Sequence, residues 1–152
     1  MVINNIIIRK ALQHDCGRIM ELVRELAIYE KAPNEVTVTE EHFIESGFGS
    51  HPVWWAFVAE VDGAVQGFAL YYIRYSTWKG QRLYLEDIVV TEQMRGKKLG
   101  QLLFNRLIEE AKALNLTGMV WQVLDWNESA ISFYKKYNAT LDGEWVNCSL
   151  NF

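Results

Sequence analysis

The sequence predicts an α/β domain built on a mixed sheet, and three observations carry that prediction. Two β-rich runs, 54–61 and 65–73, are joined by Asp62-Gly63, a strong signal for a tight hairpin. A third apolar strand, 83–90, runs into a long amphipathic pattern of Leu99, Leu102, Leu103, Leu107, Ala111 and Leu114. Strand and helix patterns then keep alternating to the C-terminus, as expected where helices cover a sheet.

Each element has a local reason. Ile6, Ile7 and Ile8 make a short apolar strand. A helix follows over 15–29, because Ile19, Leu22, Val23, Leu26 and Ala27 recur on one face, with Asp15 as its cap. Thr39, followed by Glu40, Glu41 and His42, starts a second short helix carrying Phe43 and Ile44, which Gly47 and Gly49 stop. After the central strands and the long helix, 119–124 is strand-like, 127–137 is helical and 145–150 returns as a final strand.

Bulk properties bound the function. The 152 residues, without repeat or linker, are expected to form a single domain, 1–152. Half of them are hydrophobic and only two are proline, which excludes a disordered chain. A net charge of -4 argues against nucleic acid or an anionic membrane as partner. Cys16 and Cys148 lie far apart with no ligand spacing, so neither a disulfide framework nor a metal site is expected. No leader or membrane-length apolar run is legible, so a cytoplasmic location is expected.

The chemistry concentrates at one junction. The strand 83–90 delivers the chain to Arg95, Gly96, Lys97, Lys98, Leu99, Gly100 and Gln101, a basic glycine-containing turn that opens a helix. Free backbone N–H groups and the positive end of the helix dipole meet there, which suits an anion such as pyrophosphate. The alternative is a solvated basic turn. The P-loop and dinucleotide glycine patterns are both absent.

Glu86 and Asp87 interrupt the apolar strand and, as strand neighbours, are expected on opposite faces. A partly desolvated carboxylate is suited to a general base, and Glu86 is chosen because it lies two residues before Ile88, on the same face; a structural carboxylate is the alternative. Asn127 reads as an N-cap, and Tyr134 as either a core tyrosine or a functional hydroxyl. His14, His42 and His51 read as surface or capping residues, and no G-x-S-x-G elbow exists for a hydrolase.

Together the strand, the 95–100 turn and the 127–134 segment resemble the GCN5-related N-acetyltransferase (GNAT) superfamily. Glu25-Leu26-Ala27-Ile28-Tyr29-Glu30, Gly47-Phe48-Gly49 with His51-Pro52, Leu83 to Asp87 and Trp126-Asn127-Glu128 are similar to the diamine (spermidine/spermine) acetyltransferases. Tyr75-Ser76-Thr77-Trp78-Lys79-Gly80 and Leu124-Asp125-Trp126-Asn127 resemble the branch associated with thialysine acetylation. The resemblance implies a mixed central sheet with helices on both faces and acetyl-CoA as cosubstrate. It further implies a small polyamine-like or lysine-like amine as acceptor, and a homodimer.

It also implies residue roles. Ile88, Val89 and Val90 would hold the acetyl-pantetheine arm through backbone groups, and Gly96 to Gln101 the pyrophosphate. Asn127, Glu128, Ser129 and Ala130 would contact coenzyme A; Tyr134 would be the general acid. Tyr29, Glu30, Glu86, Val120, Trp121 and Gln122 would line the amine site. Glu86 would then take a proton from the ammonium, directly or through water, before direct attack in a ternary complex. Lys98 departs from the family, which usually has glycine there, and Asn138 stands where relatives often have glycine. The alternatives kept open are acetylation of a protein lysine or N-terminus, and a non-catalytic acetyl-CoA sensor.

Overall fold

The computed structural model describes residues 5–152. Its sheet has five strands in the order β1-β2-β3-β4-β5: β1 (Ile6–Lys10), β2 (Trp55–Val61), β3 (Ala64–Ser76), β4 (Gly80–Val90) and β5 (Met119–Trp121). The first four are antiparallel neighbours and β5 lies parallel to β4, so the sheet is mixed as expected. The β2–β3 hairpin turns at Asp62 (φ 48°) and Gly63 (φ 87°), two consecutive left-handed residues that match the twist of the strands they join.

Helices α1 (Cys16–Tyr29) and α2 (Glu40–Phe48) cover one face of this sheet. Their Ile19, Met20, Leu22 and Phe43 pack with Trp54, Val58, Phe68, Leu70 and Val89 in one buried cluster. Thr39 caps α2 through its hydroxyl, which accepts from the His42 N–H at 3.1 Å. Helix α3 (Leu99–Ala113) covers the other face. There Arg106 lies 4.3 Å from the Phe57 ring, Phe104 meets Trp121 edge to face, and Leu103 approaches Gly67. Gly67 is required: a Cβ would stand 2.8 Å from the Val89 carbonyl oxygen.

The contacts divide the chain into two compact units, one ending at Trp121 and the other beginning at Gln122. The second holds α4 (Glu128–Lys135), capped by Asn127, whose side-chain oxygen accepts from the Ala130 N–H at 3.2 Å.

Two expectations are corrected. The segment 145–150 forms no strand: Trp145, Val146 and Leu150 are exposed, and 139–152 has neither helix nor strand. Its alternating pattern suits a strand, but a strand also needs a neighbour to take its backbone N–H and C=O groups. Asp15 precedes α1 but makes no side-chain cap. Its buried carboxylate instead pairs with both terminal nitrogens of Arg9, at 2.8 and 3.0 Å, and accepts from the Leu12 N–H at 2.7 Å.

Candidate active site

Strand β4 changes character halfway along. Over Leu83, Tyr84 and Leu85 it is paired by β3 on one side and by β5 on the other. The register then places Tyr71 opposite Leu85 and Leu70 opposite Asp87, so Glu86 is the extra residue of a β-bulge. Beyond it β5 has ended, and Ile88, Val89 and Val90 have a strand neighbour, β3, on one edge only among the described residues. The backbone N–H and C=O groups of the other edge have no strand to take them among the described residues.

The bulge overturns the expectation that Glu86 and Asp87 face opposite ways, and with it the reason given for choosing Glu86. Tyr84 lies opposite Tyr72 and Asp87 opposite Leu70, all on the α1 side of the sheet. Glu86 interacts with Tyr72, Tyr84 and Asp87, and so belongs to that side rather than to the face of Ile88. Burial, reinforced by Glu86 and by Glu30 at the end of α1, pushes the Asp87 carboxyl up to about 7. Asp87 makes no ion pair among the described residues, and burial likewise raises Glu30.

Aromatic rings complete this acidic corner. Tyr72 and Tyr84 stack with centroids 5.0 Å apart beside Glu86. Burial, together with the Glu86 carboxylate, holds the Tyr72 hydroxyl at about 12, so it is a neutral donor. Neighbouring carboxylates beside a tyrosine hydroxyl are a setting for an ammonium group. Of the sequence-derived amine-site residues, Glu30 and Glu86 converge here, and Val120, opposite Tyr84 in the β4–β5 register, shares the face. Trp121 does not, since it packs on Phe104 toward α3. Gln122 lies in the second unit, where its amide donates to Asn147 at 2.8 Å.

Sequence reasoning missed Tyr72, Tyr84 and Asp87 as site residues. Tyr72 and Tyr84 stand two cross-strand pairs from Leu70 and Asp87, a relation that only the bulge position turns into a shared face.

The basic turn is built from both sides. Gly96 has φ +78°, with nothing within 4 Å of where its Cβ would be, and Lys98 is also left-handed at φ 66°. Lys98 stands at the N-cap of α3 without a side-chain cap, so the first N–H groups of the helix face outward among the exposed Arg95, Lys97 and Lys98. A Cβ at Gly100 would stand 4.0 Å from Val90, in ordinary contact. The Glu25 carboxylate accepts from the Thr91 hydroxyl at 3.1 Å and from the Glu92 N–H at 2.9 Å, and the Arg95 guanidinium lies 5.0 Å from the Tyr29 ring. Helix α1 thus holds the segment that carries the turn. Backbone donors, dipole and cations together fit the pyrophosphate of a coenzyme.

In the second unit, Asn127, Glu128, Ser129 and Ala130 form the start of α4, and Tyr134 is buried in contact with Phe133 at 5.4 Å between centroids. His14, His42 and His51 are exposed, as expected. Among the described residues, no group of three or more His, Cys, Asp and Glu could hold a metal, and no helix is long and apolar enough to cross a membrane.

Residues 18–139 match the model of the acetyltransferase (GNAT) family. A thialysine N-epsilon-acetyltransferase of Bos taurus is 40% identical, the match covering 88% of this chain and 84% of that one. A spermidine/spermine N(1)-acetyltransferase-like protein 1 of Homo sapiens is 33% identical over 87% of this chain and 20% of its own length. Among solved structures, a possible acetyltransferase from Clostridium difficile 630 superposes with a TM-score of 0.80 at 20% identity, covering 98% of this chain and all of that one.

Proposed function

The chain belongs to the acetyltransferase (GNAT) family, and on that premise we propose that it transfers acetyl from acetyl-CoA to the primary amine of a small lysine-like or polyamine-like molecule. The observation that carries this reading is the bulge in β4. It places Glu86 and Asp87 together beside Tyr72 and Tyr84, just before the strand edge and the basic turn that fit the coenzyme.

Acetyl-CoA supplies an activated acyl thioester. The residues of the chain do the rest. Glu30 and Glu86 attract the ammonium form of the acceptor. The acceptor must lose a proton before its nitrogen attacks, and the carboxylate pair at the bulge takes it. Asp87, with a pKa near neutrality, is matched to that transfer, and Glu86 holds the charged amine. A backbone N–H within Ile88, Val89 and Val90 holds negative charge on the acyl oxygen. Tyr134 returns a proton to the leaving thiolate. Gly96 to Gln101 hold the pyrophosphate, and Asn127, Glu128, Ser129 and Ala130 make further coenzyme contacts. The functional unit is proposed to be a cytoplasmic homodimer of a single catalytic domain, 1–152, working without a metal.

The test is release of coenzyme A from acetyl-CoA with thialysine, lysine, spermidine and a lysine peptide, comparing wild type with Glu86→Gln, Asp87→Asn and Tyr134→Phe. Turnover on a free amine, lost in the variants, supports the assignment. An inert wild type that still binds acetyl-CoA overturns it.

A further inference from the structure

The basic turn is built from backbone conformations that need support. Gly96 and Lys98 are both left-handed, and for a lysine that conformation is strained. The turn also crowds Arg95, Lys97 and Lys98 together, and like charges oppose its closure. Buried side chains anchor the chain on either side, Met94 before the turn and Leu99 after it.

The approach to Met94 is set from another element. Residues Glu92–Met94 form a single 3-10 turn, which leaves its first N–H groups without partners inside it. Thr91, in the N-cap position, makes no side-chain cap. Its hydroxyl donates instead to the two carboxylate oxygens of Glu25, at 3.1 and 3.3 Å, and the Glu92 N–H donates to the same carboxylate at 2.9 Å. Glu25 of α1 thus supplies the cap that Thr91 does not. Tyr29, one helical turn further along α1, carries the Arg95 guanidinium 5.0 Å from its ring. Residues at this spacing share a helix face, so one face of α1 holds Thr91, Glu92 and Arg95.

The charge of Glu25 separates two roles for it. A carboxylate near a site for pyrophosphate weakens the binding of an anion through its field. A carboxylate that holds the turn in its receiving geometry strengthens that binding. The two effects have opposite signs.

We propose that Glu25 is a positioning residue for acetyl-CoA: from α1 it caps the Glu92–Met94 turn and so sets the backbone donors that receive the pyrophosphate. The inference rests on the reading of the basic turn as the coenzyme site, and adds to that site a residue from a separate element.

Isothermal titration with coenzyme A gives Kd for wild type, Glu25→Ala, Glu25→Gln and Thr91→Val, each taken per folded molecule. Glu25→Ala is expected to raise Kd about tenfold, the size of one hydrogen bond to a charged group. Glu25→Gln keeps an acceptor oxygen without the charge and should recover most of that loss, while Thr91→Val should raise Kd about threefold. In turnover, KM for acetyl-CoA should follow these values, with KM for the amine near that of wild type. With acetyl-pantetheine as donor, which has no pyrophosphate, Glu25→Ala and wild type should behave alike. A Glu25→Ala variant that binds coenzyme A as tightly as wild type, or more tightly, overturns the proposal, and so does one equally impaired on both donors. If Glu25→Ala fails to fold, Thr91→Val decides, and an unchanged Kd then overturns it. A wild type that binds no coenzyme A overturns the reading of the turn and this role with it. One that binds coenzyme A but acetylates no amine overturns the small-amine reading alone.

Discussion

Asp15 and Asp87 are both withdrawn from water on the α1 side of the protein, yet they sit in opposite electrostatic settings. Burial alone would raise Asp15, but the hydrogen bonds from Arg9 and from the Leu12 N–H outweigh it, and the carboxyl is held below the usual range. Asp15 also stands at the amino end of α1, where the helix dipole favours an anion. Asp87 has no such partner; burial, Glu86 and the Glu30 that follows α1 all push it up, to about 7. One acid is charged and structural. The other can change its protonation near neutral pH and is available for chemistry.

Substitution should separate the two roles. Asp87→Asn is expected to lower kcat/KM by about 100-fold or more, the range of general acid–base contributions, while the fold survives. Asp15→Ala should do the reverse, costing about 2 kcal/mol in urea unfolding by removing the acceptor of the Arg9 and Leu12 N–H groups while Arg9 keeps Glu60 at 3.6 Å, with activity per folded molecule retained. The rate on a small amine should rise with pH through an inflection near 7 set by Asp87. Glu30→Gln should move that inflection to lower pH, because it removes one of the charges that raise it.

Stability against pH should also split them. The folded pKa of Asp15 is depressed, so its contribution is present above about 4 and is lost as pH falls through the folded value. The folded pKa of Asp87 is raised, so its contribution is present below about 4 and is lost as pH rises through about 7. Asp87→Asn should therefore be more stable than wild type at pH 8, and chemical denaturation at pH 5 and pH 8 checks this. The smallest effect is expected at Lys98, where glycine would relieve the left-handed backbone and add about 0.5 to 1 kcal/mol.

Much of the fold was legible because periodicity and turn chemistry are local. Asp62-Gly63, the Thr39 and Asn127 caps and the start of α3 after Lys98 all stand where their residues predict. Asn138, the other departure from glycine, is left-handed at φ 59°, which asparagine tolerates. What could not be read was relational. Strict alternation puts Glu86 and Asp87 on opposite faces, and only the pairing of Leu70 and Tyr71 across the sheet reveals the inserted residue. The strand expected over 145–150 failed for a related reason, since a strand is defined by its neighbour as well as by its own sequence. Likewise the partner of Asp15, Arg9, lies in a separate element.

The tie from Glu25 to Thr91 and Glu92 has a consequence for how the protein matures. It joins residues 66 and 67 positions apart, so forming it closes a loop that contains α2, β2, β3 and β4. Contacts of such long range come late because the chain entropy of closing the loop must be overcome first. The basic turn is therefore expected to be set late in folding, and, if it holds the coenzyme as proposed, in refolding the recovery of acetyl-CoA binding should lag the recovery of helical signal. A ligand seated on the completed turn would favour finished molecules over nearly finished ones by mass action.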